Sequence, residues 1–248
     1  MTVLDPGIER GACITGVGMS PIGRRTGIAG TDLTAAAARA AIADAGLRPA
    51  DIDGIASMGD TPVGEAARAV GIDAAWSGGG FDTGGLLSPL MSAFVAVGSG
   101  QARHVLVYRT VQMMGGSILP QEPGERSAPR GPDWIGPLMT MHAYSAVNWL
   151  AMHCRRHMHL YGTTKEQLGW LAVNSRRNAA LNPAAVYKEP ITLGDYLAAR
   201  SISDPLSLLD CDVPVDGSIA VVVSAADRAG DGPNPPVRVE AIGGSRGE

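Results

Sequence analysis

Aromatic residues are scarce in this chain, at 4% of 248, so any core it builds must be mostly aliphatic. Charged residues are sparse as well, at 18%, with a formal net charge of -4. No basic block is present, which excludes a nucleic-acid surface. No apolar run reaches the roughly 18–20 residues of a membrane helix. The N-terminal MTVLDPGIERG lacks the apolar core of a signal peptide, so a cytoplasmic location is expected. Cys13, Cys154 and Cys211 lie far apart, with neither zinc spacing nor a disulfide framework. What the chain has instead is 45% hydrophobic residues, 33 glycines and many alanines, a composition for helices packed closely on a sheet. The length suits one large domain or two small ones, with small-molecule or protein partners.

The stretch that organises the chain runs from Gly78 to Arg109 as loop, helix and strand. Ser88-Pro89 opens the helix, because proline at the first helical position loses no hydrogen bond there. Leu90, Met91, Ala93, Phe94, Val95, Ala96 and Val97 leave it almost no polar face, so it belongs inside the protein. Gly98 and Gly100 end it, and His104 to Tyr108 reads as a buried strand. The glycine-rich loop before the helix can turn backbone N–H groups toward a ligand. It reads equally as a tight connection in which glycine permits unusual backbone angles.

Around that centre, strands are expected at Ala12–Gly18, Gly54–Met58, Ala74–Trp76, Val221–Ser224 and from Val237. Helices are expected from a Thr31-Asp32 cap to Ala45, at Gly64–Val70, across Met139–Leu160, and at Gln167–Ala180 behind Thr163-Thr164. Alternation of this kind is α/β logic, with helices over a mostly parallel sheet. Prolines 120, 123, 129 and 132 mark the span 111–136 as a long excursion. A new strand with no helix after it is expected of a domain cut short.

Four segments then matter together: Arg155 to Thr164 (RRHMHLYGTT), Asn174 to Pro183 (NSRRNAALNP), Pro205 to Cys211 (PLSLLDC) and Asp216 to Val223 (DGSIAVVV). In this order they resemble the thiolase superfamily, in its branch of sterol-carrier and lipid-transfer thiolase-like proteins. The resemblance covers nearly the whole chain. It implies an α/β thiolase-like αβαβα layered sandwich, of which the chain holds the N-terminal half. Its first part would span 1–110, an inserted loop domain 111–204, and the last strand of the half 205–236. Residues 237–248 would begin a C-terminal half.

In true thiolases of this superfamily a cysteine at the start of the central helix carries the acyl group. The matching position falls near Thr83 to Gly85, where no cysteine stands. Thr83 has no base within the same motif to make it a replacement nucleophile. The branch without that cysteine resembles the aldolases of steroid side-chain degradation, which work with an OB-fold partner of the DUF35 type. The resemblance therefore implies retro-aldol cleavage of a bulky, steroid-type β-hydroxyacyl-CoA. Homodimers or larger assemblies are expected, with acyl-CoA as substrate, no cofactor beyond that CoA and no membrane span. The alternatives are a non-catalytic lipid-binding or scaffolding relative and a thiolase-type acyltransferase, for which a nucleophile is missing.

The candidate oxyanion or thioester loop is Thr83, Gly84 and Gly85. Tyr108, Arg109, His142 and Tyr144 are candidates for the substrate pocket. The catalytic acid and base are expected outside this chain. His153 and His157 have the i,i+4 spacing of a chelating pair, but no Glu follows in the HExxH manner, and no metal is expected. Packing is the plainer reading of His157, of Asp216-Gly217 and of Met113-Met114.

Overall fold

The computed structural model describes residues 7–59, 61–79, 87–113 and 135–242. In chain order the elements are β1 (Ala12–Met19), α1 (Gly30–Asp44), β2 (Gly54–Ser57), α2 (Val63–Val70), β3 (Trp76–Gly79), α3 (Ser88–Gly98), β4 (His104–Gln112), α4 (Ile135–Thr140), α5 (Ala146–Tyr161), α6 (Lys165–Ala180), α7 (Leu193–Leu197), β5 (Ser201–Ser203), β6 (Leu206–Ser207), β7 (Asp216–Ala225) and β8 (Val237–Arg238). They fall into two compact units, Met1–Leu119 with Val215–Glu248, and Pro120–Pro214.

The first unit is a six-stranded sheet in the order β3-β2-β4-β7-β1-β8. The expected mostly parallel sheet is in fact mixed. β2 pairs in parallel with β3 and β4, while β7 runs antiparallel to both β4 and β1. The cause lies in where the chain leaves and returns. The Met113 N–H, just past β4, donates to the Val215 carbonyl, just before β7, at 3.1 Å. A chain that returns at the end it left from must run back along the sheet.

Helices cover both faces. On one, α1 and α2 bury Ala38, Ala41, Ile42 and Ala66 against Ile55, Leu106 and Val222. On the other, α3 buries Ala93, Phe94 and Val97 against Ala56, Val105 and Val223. No residue of α3 is exposed, as its apolar sequence requires. Gly16 and Gly18 on β1 let α1 lie flush on the sheet, since a Cβ at either would overlap the carbonyl of Ala41 or Ala37. Alanines facing glycines bring helix and strand to backbone contact.

Two local expectations shift. Helix α1 starts at Gly30 from Ala29 with no side-chain cap, so Thr31 and Asp32 sit inside its first turn, where Asp32 meets the positive end of the helix dipole. The strand expected at Ala74–Trp76 lies at Trp76–Gly79, because pairing Gly54 with Trp76 and Ser57 with Gly79 outweighs the poor strand propensity of two glycines.

In the second unit, α5 and α6 are the long helices, and α7 packs on α6. The single helix expected over Met139–Leu160 is two, parted at 141–145. There His142 takes a left-handed φ of 60°, and Ser145 and Asn148 form a capping box that restarts the helix. Thr164 caps α6 by accepting from the Gln167 N–H. The unit turns on Tyr196, which is fully buried against Gly169. The Tyr196 hydroxyl donates to Asp210 Oδ1 at 2.5 Å, and Lys165 Nζ meets Asp210 Oδ2 at 2.6 Å.

Candidate active-site end of the sheet

In α/β sheets, ligands gather where parallel strands end. Here β2 ends at Ser57 and β3 at Gly79, while β4 runs on past Tyr108, the parallel partner of Ser57. Gly79 has φ of 106°, and a side chain on it would overlap the Ser57 carbonyl. From Gly79 the chain passes through 80–86 to α3, whose first residues Ser88 and Pro89 are buried. Thr83, Gly84 and Gly85 lie outside the described residues. The frame that holds their segment is therefore β3 at one end and the buried start of an 11-residue helix at the other.

Behind this end runs a buried chain of hydroxyls. Tyr108 donates to the Thr61 carbonyl at 2.7 Å. Thr34 Oγ1 on α1 lies 2.8 Å from Thr61 Oγ1 and 2.5 Å from Thr110 Oγ1. Thr110 in turn donates to Ser218 on β7 at 2.9 Å. Burial pushes the Tyr108 phenol up to about 12, so it stays protonated at neutral pH and serves as a donor. Ser57 Oγ is buried with no hydrogen-bond partner among the described residues. Sequence reasoning missed this chain because its members are isolated Thr, Ser and Tyr residues spread over several elements. The two-residue spacing of Tyr108 and Thr110 on one strand face is the only local sign.

The four candidate pocket residues fall into two pairs in different units. Tyr108 and Arg109 are consecutive on β4, so their side chains leave opposite faces of the sheet. Tyr108 is buried among the residues facing α1 and α2. Arg109 is exposed on the other face, in register with Ile219 of β7, which is itself in register with Met19 of β1. Ile219 and Met19 are about half exposed, so Arg109 borders an open apolar surface. His142 and Tyr144 come together in the second unit, with the phenol 2.5 Å from His142 Nδ1 and the rings edge to face. Both are exposed.

Cys13 and Cys211 are pushed away from the thiolate form. Cys13 is buried at the start of β1, and burial pushes its thiol up. Burial also raises Cys211, followed by the charges of Asp210 and Asp212. Among the described residues, no group of three or more His, Cys, Asp or Glu is placed to hold a metal ion. No described helix is long and apolar enough to cross a membrane.

No protein-family model matches the chain. Individual proteins do. The steroid side-chain-cleaving aldolase of Thermomonospora curvata is 36% identical over 92% of this chain and 60% of its own length. The 17-hydroxy-3-oxo-4-pregnene-20-carboxyl-CoA lyase of Mycobacterium tuberculosis is 36% identical over 93% of this chain and 61% of its own length. A solved Ltp2–ChsH2(DUF35) aldolase superposes with a TM-score of 0.79 at 35% identity, covering 95% of this chain and 60% of that one. More distant structures, including a monomeric SCP2-thiolase-like protein from Mycobacterium smegmatis at 20% identity and TM-score 0.63, share the fold. The chain has a thiolase-like fold and is similar over nearly its whole length to these aldolases. As a thiolase-like chain it spans about 60% of the length of the curated relatives it matches. Its fold is the expected α/β thiolase-like one. The buried helix of that thiolase-like unit is α3, entered from a segment without cysteine.

Proposed function

We propose that this chain is part of a carbon–carbon lyase that cleaves a bulky, steroid-type β-hydroxyacyl-CoA by retro-aldol chemistry. The observation that carries the reading is the pair of relatives at 36% identity, one named an aldolase and the other a CoA lyase. The absence of cysteine between Gly78 and Pro89 supports it, because retro-aldol cleavage needs no acyl-enzyme.

The reaction balances simply. A base takes the β-hydroxyl proton, the oxygen's electron pair forms the new carbonyl, and the Cα–Cβ bond breaks. Its electron pair passes to the thioester as an enolate, and a proton delivered to Cα completes the shortened acyl-CoA. The costly species is the enolate, which fixed donors stabilise best. In this reading Thr83, Gly84 and Gly85 line the thioester, and the positive end of α3 favours the developing negative charge. Arg109, and His142 with Tyr144, are assigned to the bulky substrate. Tyr108 holds β4 to the Thr61 turn. The base and the acid are assigned to sequence beyond this chain.

We further propose an OB-fold partner of the DUF35 type, because the solved aldolase at 35% identity is an Ltp2–ChsH2(DUF35) aldolase. A dimeric or larger assembly in the cytoplasm completes the reading, consistent with three free thiols. CoA enters as part of the substrate.

The test uses the full-length protein with its OB-fold partner and a 17-hydroxy steroid bearing a 20-carboxyl-CoA side chain. Cleavage between C17 and C20 yields a 17-ketone and propionyl-CoA in equal amounts. Acyl-CoA binding without either product would replace the lyase by a non-catalytic binder. A covalent acyl group on any cysteine would replace it by an acyltransferase.

A further inference from the structure

At the other end of the sheet from Ser57 and Gly79, the first unit holds a cavity of about 740 Å³. It opens where β4 begins and β7 ends, beside the last turn of α1. Thr15, Asp53, Arg103, His104, Ser224 and Arg228 are among its lining residues. Nothing in the retro-aldol reading uses it.

The local fold explains why these groups converge. Asp53, just before β2, accepts the backbone N–H groups of Arg103 and His104 at 3.0 and 2.9 Å, which fixes the start of β4. His104 Nδ1 then lies 2.9 Å from Ser224 Oγ on β7, and Ser224 Oγ lies 2.7 Å from Thr15 Oγ1 on β1. Both hydroxyls are buried and the imidazole is partly buried, so they form the floor. Arg103 and Arg228 are exposed and form the rim.

The charges in this cavity are unevenly satisfied. Asp51 is held by two side-chain bonds from Arg48, at 3.1 and 2.8 Å. Asp53 is occupied by backbone N–H groups. Arg103 and Arg228 have no side-chain hydrogen bond or ion pair among the described residues. His104 Nε2 likewise makes no bond there. Burial holds the His104 pKa below its ordinary value; Asp53 and Asp51 oppose that, and Arg103 and Arg228 reinforce it. Both arginines line the same cavity as the ring. Among the lining residues the two arginines balance Asp51 and Asp53 in number, but the carboxylates are already bonded and the guanidinium groups are not. The partial negative end of α1 sits on the wall at Ala45 and Gly46, which directs an anion to the arginine side.

Guanidinium forks match the geometry of carboxylate and phosphate oxygens. We infer that this cavity binds a small dianion, either a phosphate monoester or a dicarboxylate, clamped between Arg103 and Arg228 and met on the floor by His104. The bound anion gives Arg103 and Arg228 the hydrogen-bond partners they lack without displacing the bonds made to Asp51 or Asp53. It requires no change in the sheet.

Inorganic phosphate and succinate serve as probes, titrated separately into the full-length protein by calorimetry while the His104 imidazole is followed by NMR. Saturable binding of at least one probe is expected, with the His104 resonances moving over the same concentration range. Binding of phosphate alone identifies a phosphate ligand, and binding of succinate alone identifies a dicarboxylate. Arg103→Gln and Arg228→Gln should each weaken binding about ten-fold, and the double variant about a hundred-fold. Both side chains are exposed, so the variants should melt like the parent. Absence of saturable binding by both probes overturns the proposal. So does a double variant that binds as tightly as the parent.

Discussion

The two units of this chain hold themselves together by different means. The first packs alanine and glycine at backbone distance, with α1 flush on β1 and apolar layers on both faces of one sheet. Among its described residues the second has few that are buried, and Tyr196, Lys165 and Asp210 form a polar cluster supported by Ser207. Shape governs one unit and hydrogen bonding the other. Volume changes should therefore injure the first, and changes of charge or protonation the second.

The harshest way to press that contrast is Gly18→Val. The added methyls meet the Ala37 carbonyl, which cannot move without its helix, and a loss of about 3 kcal/mol or more is expected. Hydrogen exchange read peptide by peptide should show protection falling in β1 and β7 and unchanged in α6. A uniform loss across both units would break the comparison.

Next comes Asp210→Ala, which strands Lys165 and Tyr196 around a vacated carboxylate. About 2 kcal/mol is expected, read as faster exchange in α6 and α7 while β1 and β7 keep their protection.

Proton linkage separates the units more gently. Burial holds His104 below its ordinary pKa, so the unfolded chain binds its proton more tightly. Its contribution is complete above about pH 6.5 and is lost as pH falls from there. For Asp210, burial pulls upward, but bonds from Lys165, Tyr196 and Ser207 outweigh it and leave the carboxyl depressed. That contribution is complete above about pH 4 and fails only below it. A pH series should weaken the first unit before the second, and His104→Gln should remove the earlier step.

The mildest expectation is a null. Arg155 and Asp204 pair in the second unit with side chains 55% and 77% exposed. Arg155→Gln should leave the thermal midpoint where it was, because water and salt already screen such a pair. A clear drop would mean that the polar style of this unit extends to its surface.

The same contrast explains what could be read from the residues alone. In the first unit, local pattern and packing agree. The apolar run after Ser88-Pro89 is the helix it promised to be, and the stretch from His104 is the buried strand. The direction of β7 escaped because antiparallel pairing across some two hundred residues has no local trace. The break at His142 escaped because Ser145 and Asn148 restart a helix whose apolar spacing continues on either side. At the candidate active-site end, the lack of a cysteine was plain, whereas the Thr34–Thr110–Ser218 hydroxyl chain was not. A lone threonine says nothing of its partner until strands are placed side by side. The opposite facing of Tyr108 and Arg109 was legible in principle from strand alternation alone.

One feature reaches beyond the finished molecule. β7 lies between β4 and β1, yet it follows both the sheet's other long strands and the whole of the second unit. On the ribosome, β1 and β4 emerge with no strand between them. Roughly a hundred residues must then be made before β7 can fill the gap, a wait of ~5–20 s at ordinary elongation rates. For that interval the nascent chain carries two apolar strands with unmet backbone edges, the condition that invites wrong pairing and chaperone capture. The second unit, whatever it covers in the mature protein, also times the closing of the sheet.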